Sequence, residues 1–533
     1  TISILPSQIP EKSVIDILEE AYKKFPNNRA IEFFGTKITY SQLREKVLQL
    51  SHSLKELGVR ENTKVGLYLP NSPHYIISYF AILYAGGVVV NFSPLYSESE
   101  LANQLKDSDT EILITLNLKV LHDKAIKSTK KLIVGSIADY LSAPQAFFFK
   151  LFKYKHLAKV AYDENIVSYP KLFTKNSLKE LPIIDAKTKV AVLQYTGGTT
   201  GVPKGAMLSH FNIFANSYQS KSWCYTAKEG QEKVMVVLPL FHAFANTVAM
   251  NMSIMLGAEM VLIPKFELEG LIKSIHKHKP TLFPAVPTIY NAITHFAEIK
   301  NYNLRSIRLC VSGGDTLPVA VKHRFEEITG CKVIEGYGLT ECSPVVCCNP
   351  VEGENRAGTI GLPFMDTEIA VFSHEGEFKR LEVGEKGELC VKGPQVMLGY
   401  YKKPKETNDI LVDGWLKTGD IGIMDSDGYA KIVDRLKQVI IAGGYKIYPR
   451  IVEEAIYQYP TILECAVVGV EDKYRGQTAK AFLVAKNGEA IDIEDLKKTL
   501  EKKLSKYEMP SQFEIKESLP KTLIGKINKR GLN

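Results

Sequence analysis

Apolar residues along the early part of the chain follow two alternating rhythms. From Ser13 to Lys24 the apolar positions Val14, Ile17, Leu18 and Ala21 recur at helical spacing, with Ser13 placed as the cap and Asp16 in the first turn. Short β-rich runs and helical patterns then take turns. The pattern predicts strands over 65–69, 88–91 and 112–115, helices over 74–84 and 98–106, and a break at Gly86-Gly87. The same alternation returns at 234–238, 245–256, 260–263 and 268–276, which predicts α/β layers built on parallel sheets. After about Val351 short strands and glycine turns dominate, and beyond Lys437 the order strand, helix, strand, strand, helix predicts a small separate α+β domain.

Composition narrows the class. With 533 residues, 45% hydrophobic and 24% charged, the chain is globular and long enough for several cores, which excludes disorder and collagen-like repeats. A net charge of +8 over this length is mild and points away from a dedicated nucleic-acid binder. The eight cysteines form no C-x-x-C and no zinc-like pairing with histidine, as expected of buried thiols in a reducing, cytoplasmic setting. Residues 1–30 lack the pattern of a signal peptide. Residues 75–97 and 234–258 lack charge, but Gly, Pro, His and Asn interrupt them, which suits buried elements rather than membrane spans.

Residues 145–162 stand apart. Phe147, Leu151, Tyr154, Ala158 and Ala161 fall on one helical stripe, with Lys153, His156 and Lys159 on the other side. Such a helix either docks on its own domain or lies at a membrane interface as a peripheral contact.

The strongest local chemistry is Tyr195–Ala206, YTGGTTGVPKGA, following the apolar run 190–193. Its glycines free the backbone N–H groups, its threonines add hydroxyl donors and Lys204 adds a point charge, a combination that wraps phosphate oxygens. It is not a Walker loop, because Gly205 follows Lys204 where Ser or Thr is required.

Further motifs follow in order: LPLFH at 238–242, SGGDTLP at 312–318, EGYGLTE at 335–341, GWLKTGDIG at 414–422, VDRLK at 433–437 and PKTLIGKI at 520–527. Together with the Thr/Gly loop they resemble the AMP-forming acyl/aryl-CoA synthetase superfamily, which includes luciferases and peptide-synthetase adenylation domains. KGPQVMLGYY at 392–401 and the spacing from Asp413 to Lys437 are most similar to its long-chain fatty-acid–CoA ligases.

The resemblance implies a large N-terminal domain, 1–434, of layered α/β sheets plus a distorted β-barrel, and a mobile α+β domain, 437–533, hinged near Lys437. It implies that Tyr195, Thr196, Gly197, Gly198, Thr199, Thr200, Gly201 and Lys204 hold the β- and γ-phosphates of ATP. Thr340 would bond the α-phosphate and Glu341 would ligate Mg²⁺, a hard cation suited to oxygen. Gly313, Gly314 and Asp315 would border adenine. Glu335, Gly336, Tyr337 and Gly338 would shape the nucleotide loop, Tyr337 stacking on the base, while Asp420 and Arg435 take the ribose. Lys526 would grip the carboxylate and α-phosphate during adenylation, and His242 would border the carboxylate. Phe244, Ala245, Met250, Ala285 and Val286 would line the acyl pocket. Gly443 and Gly444 would line the pantetheine path of CoA. The sequence departs from the commonest pattern at Leu436, Gln438 and Lys446, which bears on the hinge and on fine CoA contacts.

The expected reaction is activation of a long-chain fatty acid to acyl-AMP with pyrophosphate release, then thioester formation with CoA. No Asp near His242 awaits an amino group, which favours a plain carboxylic acid over an amino acid. The alternatives are a medium-chain or aryl-acid CoA ligase, an acyl-AMP ligase loading a carrier protein, and a degenerate homologue that only binds nucleotide or lipid. Oligomeric state stays open, a homodimer included.

Overall fold

The computed structural model describes residues 9–129, 131–196, 203–373, 376–442, 445–472, 475–486, 489–522 and 526–532. Two large sheets carry the N-terminal part. One runs, edge to edge, 362–363, 345–348, 332–338, 309–312, 282–285, 233–236, 259–262, 29–33 and 36–39. The other runs 399–400, 204–209, 190–196, 88–91, 64–67, 112–116, 132–135 and 166–168. Their central strands are parallel, as the alternating pattern predicts.

The helix Pro73–Tyr84 is apolar all round and buried at every residue, so it belongs between layers rather than on a surface. It ties the two sheets together: the Tyr75 hydroxyl donates to the Leu240 carbonyl at 2.8 Å, on the loop that follows strand Lys233–Val236. The first helix is Val14–Lys24. Ser13 is the N-cap residue as the sequence predicts, and its N–H and hydroxyl both donate to Asp16 Oδ2 at 2.7 Å, so the first-turn carboxylate holds the helix start.

A third, antiparallel sheet joins 368–372, 387–392, 415–424 and 411–412, with 430–435 added beside 415–424. The remainder has its own core, with Ile447, Val452, Ile456, Val467, Leu483 and Leu496 buried together. Its strands 445–447, 440–442, 476–485 and 462–472 form one sheet, with 512–515 alongside.

Two elements differ from expectation. The helix expected over 245–256 opens as a π-helix, Ala245–Asn251, before a short α-helix, Met252–Met255. Buried polar side chains hold this wide turn: Asn246 donates to the Tyr75 hydroxyl at 3.3 Å, Asn251 donates to Asn246 at 3.1 Å, and Thr247 donates to the Ser343 carbonyl. The stripe over 145–162 forms a helix only at Ala143–Lys153, followed by a single tight turn, Tyr154–His156. Beyond it Leu157 pairs with Leu118 as an isolated bridge, and the Ala158 N–H donates to the Asn117 carbonyl at 2.8 Å. That extended pairing takes Ala158 and Ala161 off the helical stripe.

All eight cysteines are unpaired and buried. Among the described residues no helix is long and apolar enough to cross a membrane.

Candidate functional site

Parallel strands 309–312 and 332–338 run side by side, with Ser312 opposite Glu335, so the segments leaving their C-terminal ends converge. Crevices at such strand ends are where open α/β sheets take ligands. The segment after the first strand carries Gly313, Gly314 and Asp315. The segment after the second carries Thr340 and Glu341.

On one side stand the antiparallel strands Val190–Thr196 and Lys204–Ser209, with Tyr195 opposite Gly205 and Thr196 opposite Lys204. Gly197, Gly198, Thr199, Thr200 and Gly201 of the predicted phosphate loop lie outside the described residues. Tyr195 donates to Asp107 Oδ2 at 2.6 Å, which anchors the strand at the base of the loop. Strand 399–400 pairs with 204–209 and brings Tyr400 to the site. Its hydroxyl donates to Glu341 Oε1 at 2.6 Å, while the Lys204 ammonium lies 5.1 Å from its ring centroid. Tyr400 therefore joins the lysine and the carboxylate. Sequence reasoning missed both Tyr400 and Asp107, although the GYY run at 399–401 was in view.

On the other side Tyr337 donates to Asp420 Oδ2 at 2.6 Å, and Arg435 Nε lies 3.3 Å from Asp420 Oδ1. Asp420 and Arg435 are register partners in the antiparallel sheet. Each carboxylate oxygen keeps a further lone pair, so Asp420 retains acceptor capacity for hydroxyl groups. Glu335 is buried and accepts the Leu317 N–H at 3.1 Å, so it holds the 313–317 segment from beneath. Burial pushes its carboxyl up to about 7. Gly336 has its strand partner in Cys348. At Gly338 a Cβ would stand 1.9 Å from the Pro344 carbonyl oxygen, so a close backbone approach demands glycine there.

Lys526 comes from the C-terminal part. Its Cε lies 3.2 Å, and its Nζ 3.9 Å, from where a Cβ on Gly314 would be, and Gly314 takes φ +90°. Burial lowers the Lys526 ammonium pKa, with Arg435 acting the same way, while Asp315 and Asp420 favour its charged form. His242 lies close enough to feel that charge: burial first, and Lys526 second, push its imidazolium down to about 4. His242 is thus a neutral ring at pH 7.

A small cavity is lined by Leu238, Pro239, His242, Phe244, Ala245, Val286 and Gly314. Of the predicted acyl-pocket residues, Phe244, Ala245 and Val286 border it. Met250 and Ala285 do not: both are fully buried, Met250 within the π-helix and Ala285 in the strand paired with 309–312. Gly443 and Gly444 lie outside the described residues, and Lys437 falls in the tight turn Leu436–Gln438.

The chain as a whole is similar to known proteins. The profile of the AMP-binding enzyme family matches residues 18–401, and that of the AMP-binding enzyme C-terminal domain matches 451–526. The chain is 45% identical over 532 residues to a long-chain-fatty-acid–CoA ligase of Bacillus subtilis, covering 98% of this chain and 94% of that one. It is 36% identical to a long-chain-fatty-acid–CoA ligase of Yersinia pestis, covering 99% and 96%. Among solved structures, the anthranilate CoA ligase AuaEII in complex with anthranoyl-AMP superposes with a TM-score of 0.86 at 25% identity, covering 98% and 97%. ATP-bound MatB from Rhodopseudomonas palustris gives 0.84 at 25%, covering 98% of each chain.

Glu335 carries a pH signature. Its folded pKa of about 7 lies above the ordinary carboxyl value, so its contribution to stability is present below that ordinary value and is lost as pH rises toward 7. Glu335→Gln is expected to raise the thermal midpoint by about 2–5 °C at pH 8 and to leave it nearly unchanged at pH 4, measured by thermal unfolding. Equal shifts at both pH values would count against a buried, raised carboxyl.

Proposed function

The chain belongs to the AMP-binding enzyme family, and on that premise we propose that it is a long-chain fatty-acid–CoA ligase working in two steps. A fatty carboxylate displaces pyrophosphate from ATP to give acyl-AMP. The CoA thiol then displaces AMP to give the thioester. The observation that carries this reading is Lys526, held against Gly314 and near enough to act on His242, two residues that line an apolar cavity.

The first step joins two anions. The carboxylate is ionised at neutral pH, since a free carboxyl titrates near ~4, so it needs alignment and charge neutralisation rather than a strong base. Lys526 supplies a partly desolvated cation beside Gly314, in the field of Asp315. A neutral His242 borders the carboxylate without competing for its charge. Thr196, Lys204 and the loop between them would hold the β- and γ-phosphates, with Thr340 at the α-phosphate. Tyr337, Asp420 and Arg435 would seat the nucleoside. Gly443 and Gly444 would line the pantetheine path and Lys437 would mark the hinge between a 1–434 domain and a 437–533 domain.

Glu341 offers hard carboxylate oxygens of the kind that suits Mg²⁺, with the Tyr400 hydroxyl donating to one of them and orienting the group. Among the described residues no cluster of three or more His, Cys, Asp or Glu surrounds it, so the ion would share Glu341 with substrate phosphates. When bound, Mg²⁺ would neutralise phosphate charge.

The surface supports a peripheral contact with an anionic bilayer. No residue of helix Ala143–Lys153 is buried. Phe147, Phe148, Leu151 and Phe152 are 52–73% exposed, and exposed Phe34 adjoins them through the Gln145 amide, which donates to the Phe34 carbonyl at 3.0 Å. Lys150, Lys153, Lys155 and Lys159 accompany them, and 143–162 holds no Asp or Glu. Aromatic anchors with lysines alone match an anionic lipid surface.

Pyrophosphate release with C8 to C18 acids, with and without CoA, tests the activity. A maximum at C14–C18 and CoA-dependent turnover are expected; a maximum with short or aryl acids would replace the substrate class. Lys526→Ala is expected to lower acyl-AMP formation by about 10²-fold or more and to spare thioester formation from supplied acyl-AMP. Equal loss in both steps would remove Lys526 from the adenylation role. Co-sedimentation with phosphatidylglycerol vesicles is expected for the native chain and lost in Phe148→Ser/Phe152→Ser at unchanged pyrophosphate release. Failure of the native chain to bind, or a patch-dependent dimer in its place, would overturn the membrane contact.

A further inference from the structure

Lys526 reaches its place through a relay of contacts that begins outside its own domain. The strand Ala430–Arg435 belongs to the antiparallel sheet of the N-terminal part, and Asp434 on it is 2% exposed. One oxygen of that carboxylate accepts the Arg435 N–H at 2.7 Å. The other accepts the Arg450 N–H at 2.9 Å.

Arg450 is the second residue of helix Pro449–Tyr457, whose N-cap residue Tyr448 gives no side-chain cap. Pro449 has no N–H, so Arg450 carries the first N–H of the helix that needs an acceptor. Asp434 therefore caps, from across the seam, the helix that opens the C-terminal unit, and its charge faces the positive helix end.

One turn along that helix Glu453 pairs with Lys529 at 2.7 Å, and Glu453 also accepts the Val467 N–H at 2.6 Å. Lys529 lies three residues after Lys526 and feels the Asp434 charge as well. Burial pushes the carboxyls of Asp434 and Glu453 up, and Lys529 pulls both back toward ionisation. A small apolar cluster of Ile421 and Val433 with Tyr448 closes the same seam. The set is thus a connected path: strand carboxylate, helix N-terminus, Glu453, Lys529, Lys526.

We propose that Asp434 is a positioning residue: through Arg450 N–H and the Glu453–Lys529 pair it holds the Lys526 ammonium in the crevice, and so governs acyl-AMP formation without touching substrate. The proposal rests on the two-step ligase reading for its kinetic test, and its second test is independent of activity.

Asp434→Ala is expected to cut pyrophosphate release about 10–100-fold, the scale of a roughly 1 Å misplacement. It should leave thioester formation from supplied acyl-AMP within about twofold, a split that general destabilisation would not produce. Asp434→Asn, which keeps an acceptor for the Arg450 N–H, is expected to recover most of the rate. Parallel loss in both steps, or no loss in either, would overturn the proposal. Amine-selective acetylation read by mass spectrometry tests position directly: Lys526 is expected to react several-fold faster in Asp434→Ala, while exposed Lys119 reacts alike in both. Unchanged Lys526 labelling would overturn the proposal even if the protein proved to catalyse a different reaction. Should Asp434→Ala not fold, Lys529→Met breaks the path at its other end and carries the same two readouts with the same expected and opposing results.

Discussion

The ammonium of Lys526 is taken partly out of water, and burial alone favours loss of its proton. What keeps a cation there is the carboxylate field of Asp315 and Asp420, and what keeps the chain there is a seam between two separately cored units. Almost every feature of the site answers to that constraint. Gly314 leaves room beside the lysine stem, His242 is left uncharged by the same burial, and Arg435 shares Asp420 with Tyr337 rather than approaching Lys526 unopposed.

Much of the architecture was legible because it rests on local rules. The Ser13–Asp16 cap and the fully apolar 73–84 helix are written in adjacent residues, and the parallel strands follow from the alternation. The wide turn at 245–251 was not legible. It depends on Asn246, Thr247 and Asn251 meeting Tyr75 and Ser343, partners distant in the chain. The end of the 143–153 helix was hidden for the same reason, since a backbone bond to Asn117 competes with helical continuation and wins.

The site divides along the same line. Residues whose candidacy rests on type and motif, such as Lys204, Glu341, Asp420 and Lys526, are named by order along the chain alone, and the structure brings them around one crevice. Tyr400 and Asp107 could not be named so, because each meets a partner distant in the chain: Asp107 ends the helix Glu98–Asp107 and accepts from the Tyr195 hydroxyl, while strand 399–400 anneals to 204–209 and only then sets a phenol beside lysine and carboxylate. Met250 and Ala285 have the apolar character the sequence reading asks for, and they are buried without bordering the small cavity that Phe244, Ala245 and Val286 line.

The burial of the cysteines has a chemical meaning of its own. An acyl-adenylate is a strong acylating agent, and a thiolate is its preferred victim. Cys342 follows Glu341 directly in the chain, yet it is fully buried, and its burial raises the thiol pKa well above the ordinary value. The other cysteine side chains are likewise enclosed. A mixed anhydride formed in this crevice would meet no competing cysteine thiol on the protein's own surface, so self-acylation at sulfur is suppressed and an incoming thiol has the intermediate to itself.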